Sequence, residues 1–509
     1  MIRTSVPTWL AFGALTLVAA AASAEPTSTT ADPGQAAQLP PEGLARKVVM
    51  MPDSAFVTNP HAQISQILYI ERCVGGCTVN KGGVNDARTN TSTIPEGTTS
   101  SFTIDEFKNA ARQSGAAADA DWNALKQCLS EVYSPFAVTV TDVKPAGGLS
   151  YHEAIVAGIP DNIGLPTSIL GIAPGSCTPQ DNVISFSFAN AHPTANYVFE
   201  LCATVSQESA HAFGLPNHEW AFTDGSSACR DPMSYRQDCG GQKFFRNENA
   251  TCGDFAENAP PAMCGPTQNS HLKLLGVFGM GTPTTGKPSS TVTLPLPMTK
   301  LGQVVAASAG SKRGVSKVEL YINGFKWGET SGAAWEANGQ PNPSAYVLTV
   351  PNAVPDSIVD VVARAYDDLG EYTDSAPIMA YKGTNPAGCV DKSTCANGQK
   401  CENGRCFWDP AVGEIGDSCT YAQFCKSGVC NGPAGDLICT QNCIPGVADS
   451  CPADAGLTCE ETSPGHGVCV VDGGGGGCCS VGNSSGWAPG ALFAALFGFV
   501  VLRPRRRSN

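Results

Sequence analysis

Twelve cysteines fall between Cys389 and Cys469, and that density decides how this stretch of chain can fold. About eighty residues with few large apolar side chains cannot bury enough surface to hold together, so cross-links must supply the constraint. The count is even and predicts six disulfides, whose connectivity the spacing leaves open. A zinc-knuckle reading is weaker, because the spacings lack paired Cys-x-x-Cys units. The chain as a whole carries 23 Cys, a number expected where disulfides persist and unusual in a reducing cytoplasm.

Both ends agree with an oxidising destination. Arg3, the apolar run Trp9 to Ala22 and the small residues Ala22-Ser23-Ala24 read as a secretory signal peptide over residues 1–24, with Glu25 as the mature start. The alternative, an uncleaved membrane helix, suits this short run and its small-residue end less well. At the other end, a glycine run from Gly473 to Gly477 leads into Cys478-Cys479 and a Gly/Ser linker over residues 472–486. An apolar segment of about sixteen residues, Trp487 to Leu502, follows, just under the usual ~17–25 of a spanning helix. Arg503, Arg505, Arg506 and Arg507 close the chain and would stay on the cytoplasmic side.

This order of glycine linker, Cys, short apolar helix and terminal arginines resembles the sorting tails of myxobacterial surface proteins processed by a myxosortase. The resemblance implies cleavage near Cys478 or Cys479 by a sorting protease and retention at the cell surface or outer envelope. A plain C-terminal membrane anchor through residues 487–502 would give nearly the same topology. The net charge of −14, with no basic patch except those arginines, argues against a nucleic-acid partner.

Between the ends the chain divides by pattern. Residues 25–59 begin rich in Pro, Thr, Ala and Gly and read as a flexible lead-in or a pro-segment. Residues 60–283 form the largest globular block, with nine Cys. Strands are predicted at Ile64 to Ile70, Phe136 to Val143, His152 to Ile159 and Val183 to Phe188. Helices are predicted at Trp122 to Tyr133, Tyr197 to Phe213 and Gln268 to Gly276, an α+β order with helices on one side of a sheet. The odd Cys count leaves one thiol free or paired elsewhere, and Cys73 with Cys77 is one local possibility. Residues 284–385 differ: Val318, Leu320 and Ile322 alternate with Lys317, Glu319 and Tyr321, Asn323-Gly324 marks a hairpin, and Val359 to Ala365 alternates again. That is the pattern and length of an immunoglobulin-like β-sandwich. The repeats within residues 386–471, such as Cys395 to Cys401 and Cys425 to Cys430, resemble small EGF-like or dickkopf-like modules.

The chemistry concentrates in Gln207-Glu208-Ser209-Ala210-His211-Ala212-Phe213-Gly214-Leu215-Pro216-Asn217-His218. Positions 207 and 211 lie one turn apart on a helix and point the same way. Two ligands so placed can grip a metal while Glu208 beside them activates a bound water. Gly214 lets the chain leave the helix in a left-handed conformation, so that a further His can return to the same ion. The pattern resembles the metzincin signature H-E-x-x-H-x-x-G-x-x-H, with Glu208, His211 and Gly214 in register. Asp231-Pro232-Met233-Ser234-Tyr235 is similar to the methionine turn of that family. The block, with Glu71 to Cys77 and Gln268 to His271, also resembles putative myxobacterial exported metalloproteases.

The resemblance implies a metzincin-like domain binding zinc through His211 and His218. Glu208 would act as general base, Tyr235 as oxyanion stabiliser, and Met233 would lie beneath the metal. Gln207 stands at the first ligand position, and Asn217 stands at the third, one residue before His218. A neutral amide is a poor zinc ligand. The expected function is therefore a surface-anchored zinc endopeptidase acting on a peptide or protein substrate, with residues 184–190 as the sheet edge that binds it. The alternative is an inactive pseudoprotease serving adhesion or binding. His152, His192 and His271 lie in the same block, and no spacing selects any of them as a replacement ligand. Asp367-Asp368 reads as an acidic turn.

Overall fold

In the computed structural model the described residues are 45–471, apart from 58–63, 220–226, 237–240, 254–263, 295–296, 333–343, 433–434, 446–449, 453–455 and 464–465. The signal peptide, most of the lead-in, Cys478, Cys479 and the apolar segment 487–502 lie outside the described residues. Among the described residues no helix is long and apolar enough to cross a membrane. Two compact units divide between Phe407 and Trp408.

The first unit opens with β1 (Ala45–Met50), β2 (Ile67–Glu71), β3 (Cys77–Lys81), β4 (Thr91–Ser92), β5 (Ser101–Ile104) and helix α1 (Asp119–Tyr133). There follow β6 (Thr139–Thr141), β7 (His152–Val156), β8 (Ile169–Gly175), β9 (Ile184–Ser187), α2 (Tyr197–Ala212), β10 (Ala250–Thr251), β11 (Thr267–Gln268) and α3 (Ser270–Phe278). Six strands make the main sheet in the order β1-β8-β9-β7-β2-β6. The pairs β9–β7, β7–β2 and β2–β6 are parallel. Strand β8 runs antiparallel to β9, and β1 then pairs parallel to β8.

Strands β7, β8 and β9 are buried along their whole length, although β7 carries His152 and Glu153 and β9 carries Ser185 and Ser187. Helix α1 follows the predicted spacing, burying Trp122, Leu125, Leu129, Val132 and Tyr133. The disulfide Cys128–Cys202 ties α1 to α2, which adds Leu201, Val205 and Ala210 to the same core as Phe186 and Phe213.

Two expectations from the sequence need correction here. Residues 45–50 are a strand of the main sheet and not flexible lead-in, because Val48, Val49 and Met50 end the polar segment with residues that favour strands. The proposed substrate edge at 184–190 is not an edge. Its strand, β9, is hydrogen-bonded on both sides, to β8 and to β7.

The next part of the first unit is a β-sandwich of β12 (Ser289–Thr293), β13 (Thr299–Lys300), β14 (Val304–Gly310), β15 (Lys317–Ile322), β16 (Phe325–Ser331), β17 (Ser344–Thr349), β18 (Ile358–Tyr366), β19 (Tyr372–Asp374) and β20 (Ile378–Tyr381). One sheet runs β12-β14-β17 and the other β13-β20-β18-β15-β16, with β19 on β18. Asn323 and Gly324 join β15 to β16 with φ of 50° and 79°, the positive pair that an Asn-Gly hairpin turn demands. Val359, Val361, Ala363 and Ala365 face the core as their alternation predicts.

The Cys-rich region continues with β21 (Lys400–Glu402) and β22 (Arg405–Phe407) in the first unit. The second unit holds β23 (Val429–Asn431), β24 (Ile438–Thr440), β25 (Asn442–Cys443), β26 (Leu457–Ser463) and β27 (His466–Val471). The six expected disulfides form as three crossed pairs: 389–401 with 395–406, 419–430 with 425–439, and 443–459 with 451–469. Each repeat therefore links its first Cys to its third and its second to its fourth. In the large block Cys73–Cys77 and Cys177–Cys264 are bonded, Cys229 is disulfide-bonded, and Cys252 is a buried free thiol.

Candidate functional site

Helix α2 is buried nearly all round, yet its last two turns carry Ser206, Gln207, Glu208, Ser209 and His211. Burying polar groups costs free energy unless they are satisfied. Ser209 is satisfied: its hydroxyl donates to Val205 C=O at 2.6 Å and lies 2.6 Å from the Tyr133 hydroxyl. Gln207 and Glu208 are fully buried, and neither amide atom nor either carboxylate oxygen has a hydrogen-bond partner.

The helix ends as Gly214 requires. With φ at +86°, and a Cβ there only 3.0 Å from Pro179 N, glycine alone fits. The turn carries Leu215 C=O back to His211, whose Nδ1 donates to it at 2.8 Å. That bond fixes the tautomer: Nδ1 holds the proton, and Nε2 carries a lone pair with no partner. Burial first, then His218 and the Arg46 charge, push the His211 imidazole well below its ordinary range.

The chain beyond the turn places His218 with its ring 5.1 Å from that of His211. Asn217 is turned away, donating to Gly265 C=O at 3.2 Å and accepting from Cys264 N at 3.4 Å. The extra residue before the second histidine is thus absorbed by a side chain that anchors the neighbouring loop. The Asp231-to-Tyr235 turn closes the floor. Asp231 Oδ1 accepts from Met233 N at 2.9 Å, Met233 C=O accepts from Glu219 N at 3.0 Å, and the Met233 side chain is fully buried. The Tyr235 ring lies tilted against His218, with ring centroids 4.2 Å apart. The structure thus brings His211, His218 and Tyr235 ring to ring, with Gln207 and Glu208 on the same buried end of α2 and Met233 in the turn that leads to Tyr235.

Sequence reasoning missed Arg46. It sits in β1 opposite Gly171 of β8, and its side chain is 2 % exposed. Its guanidinium lies 5.8 Å from the Tyr235 ring centroid, and Nη2 reaches Ser234 C=O at 3.5 Å. Nη1 has no partner, while the Tyr235 hydroxyl donates to the Arg46 C=O. The Arg46 charge also bears on Glu208: burial pushes that carboxyl well above its ordinary range and Arg46 pulls it partly back. Gly171 makes this convergence possible, since a Cβ there would lie 2.6 Å from Glu208 Oε1. No local sequence pattern announces Arg46, because only the pairing of β1 with β8 brings it to α2. A cavity of about 460 Å³ elsewhere, bordered by Arg230, Arg246, Glu248, Lys317 and Tyr366, has no lining residue from α2 or β1.

Two imidazoles, those of His211 and His218, stand close together here, with the neutral amide of Gln207 one helical turn before His211 and the buried carboxyl of Glu208 beside it. Among the described residues no third His, Cys, Asp or Glu completes a set with them; the close groups of three are Cys389, Cys395 and Cys401, Cys419, Cys425 and Cys430, and Cys443, Cys451 and Cys469, all in disulfides. His152 packs its ring on Phe213 at 4.5 Å and His271 its ring on Phe136 at 5.2 Å, so both serve the core. His192 is buried within the field of Arg46 and Arg112, and burial together with those charges holds it down at about 3.

No protein-family model matches the chain, and no curated protein matches it. Among solved structures it is similar to the fibronectin(III)-like modules of Clostridium thermocellum CbhA, at 20 % identity over 19 % of this chain and 47 % of that one, with a TM-score of 0.14. The chain thus spans about half the length of that structure. OgpA from Akkermansia muciniphila is matched at 12 % identity over 46 % of this chain and 67 % of that one, again with a TM-score of 0.14. The endo-beta-1,4-mannanase from Thermotoga petrophila is matched at 10 % identity over 46 % and 48 % of the two chains, with a TM-score of 0.14.

Proposed function

We propose that this chain is an exported surface protein whose metzincin-like domain is a catalytically inactive pseudoprotease serving adhesion or binding. The observation that supports this is the donor set: Gln207, a neutral amide, occupies the position one helical turn before His211, and the charge of the buried Arg46 bears on the His211 imidazole. A guanidinium stays protonated at every relevant pH, so it opposes a second cation beside it. The N-terminal apolar run, the disulfides and the Cys-apolar-Arg tail support export and retention. A sorting protease acting near Cys478 or Cys479, with anchorage through residues 487–502, completes the reading of the tail.

One observation favours a second reading, a zinc endopeptidase. The unpartnered atoms of Gln207, Glu208 and His211 lie on one helix face, and buried polar groups without partners often mark a ligand site. Elemental analysis of the full mature chain separates the two. The first reading expects well under about a tenth of a zinc per chain, and peptide cleavage no different from a Glu208→Ala variant. About one zinc per chain, lost on His211→Ala, together with cleavage that Glu208→Ala abolishes, would establish the endopeptidase instead.

A further inference from the structure

We infer that the β8 edge from Gly171 to Gly175 forms a recognition site for an extended peptide bearing arginine, and that β1 is its built-in, removable occupant. The inference rests on the non-hydrolytic reading of the site and names what that site binds.

Strand β1 is the outermost strand of the main sheet, added parallel to β8 from Arg46 opposite Gly171 to Met50 opposite Gly175. The ladder continues one residue further, where Met51 N donates to Gly175 C=O at 3.1 Å. This is strand addition, the mode in which main-chain bonds give affinity and alternate side chains give specificity. Of the side chains of residues 46–50, that of Arg46 alone is fully sunk; Lys47 and Met50 are exposed, and Val48 and Val49 are half-buried. An apolar residue is the usual choice for the sunk position of a strand, so a charged one there points to recognition.

The β8 edge is contoured to this occupant at two glycines. Gly171, opposite Arg46, leaves room for the Glu208 side chain, and a Cβ at Gly175 would lie 2.3 Å from Val48 Cγ2. The readable pattern is therefore Arg-x-Val, with the arginine buried against Ser234 and the Tyr235 ring and the valine over Gly175. The Tyr235 hydroxyl holds the backbone of the arginine residue itself. Arg46 Nη1 and both Glu208 oxygens remain without partners. A buried charge so incompletely satisfied costs free energy, which suits an occupant that leaves. Pro52, Asp53 and Ser54, just after β1, are exposed, so cleavage there would free the strand from the rest of the chain.

The test uses the full chain with a site-specific protease sequence inserted after Asp53, cut after folding and dialysed. A fluorescent peptide of residues 44–52 is titrated into cut and uncut protein, and anisotropy is read. The cut protein is expected to bind it at least about tenfold more tightly than the uncut protein does. Replacing the arginine of the peptide by alanine is expected to weaken binding about tenfold or more, the loss of a buried charged contact. In the uncut chain, Arg46→Ala should admit the arginine peptide about tenfold better than wild type, which decides the matter even if the cut form unfolds. Equal binding of the arginine and alanine peptides, or no binding by a cut protein that keeps its circular dichroism, would overturn the inference. Mass spectrometry of the same mixtures keeps the two readings apart: hydrolysed peptide would sink the non-hydrolytic function while leaving arginine recognition standing.

Discussion

Gly171→Ala tests whether Glu208 is held against the β8 edge as described. An alanine Cβ at this position would lie 2.6 Å from Glu208 Oε1, 2.7 Å from Thr204 Cγ2 and 2.8 Å from Glu208 Cγ. All three separations are shorter than real carbon contacts tolerate, and the neighbours are fully buried on α2, so the helix must shift or Glu208 must leave its rotamer. Overpacking of this kind costs ~1–3 kcal/mol. For a block of this size each kcal/mol lowers the melting temperature by roughly 2–4 °C, so the expected drop is ~2–12 °C. Two of the three clashes are with Glu208, so Glu208→Ala in the Gly171→Ala background should restore much of the loss. The two substitutions should therefore be coupled by ~0.5–3 kcal/mol. Differential scanning calorimetry of wild type, both single variants and the double variant measures all four corners. If Gly171→Ala melts with wild type, or the two losses simply add, the placement of Glu208 over Gly171 is wrong.

Two further outcomes are expected. Glu153 on β7 is buried with one carboxylate oxygen unpartnered, and burial pushes its carboxyl up to about 7. A raised carboxyl keeps its proton in the folded chain after the unfolded chain has lost it, so stability falls as pH rises from about 4.5 to about 7. Glu153→Gln should therefore raise stability by about 2–3 kcal/mol at pH 8 and leave it unchanged at pH 4, as read by urea denaturation. The same gain at both pH values would refute the titration argument. For the tail, deletion of residues 478–509 should release the protein into the medium, as immunoblotting of cells and supernatant would show; continued retention at the surface would refute anchorage through that segment.

The order of the α+β block, the sandwich and the disulfide region was legible in the chain because each rests on local chemistry. Val359 to Ala365 alternates since a half-buried strand has period two, and Asn323-Gly324 turns because both residues tolerate positive φ. That His218 returns to His211 could be read because one glycine lets the chain leave the helix and turn back. The sandwich also matched its alternation at Val318, Leu320 and Ile322, although Glu319 between them is buried too, held by Lys317 at 2.6 Å and Lys326 at 2.7 Å.

What the sequence alone determined was therefore everything set by neighbours along the chain: helix faces, hairpin turns, the even cysteine count and the polar residues of α2. Only the tertiary structure decided which cysteines join, which strand is the sheet edge, and that Arg46 enters the site. Each of these depends on pairing residues far apart in the chain. Arg46 meets Gly171 across more than a hundred residues, and nothing in the local pattern of β1 distinguishes a pairing with β8 from one with any other strand. The reading of Glu208 changes accordingly. Along the chain it is expected as a base beside metal ligands, and the fold adds that it is fully buried over Gly171 and feels the charge of an arginine on a distant strand.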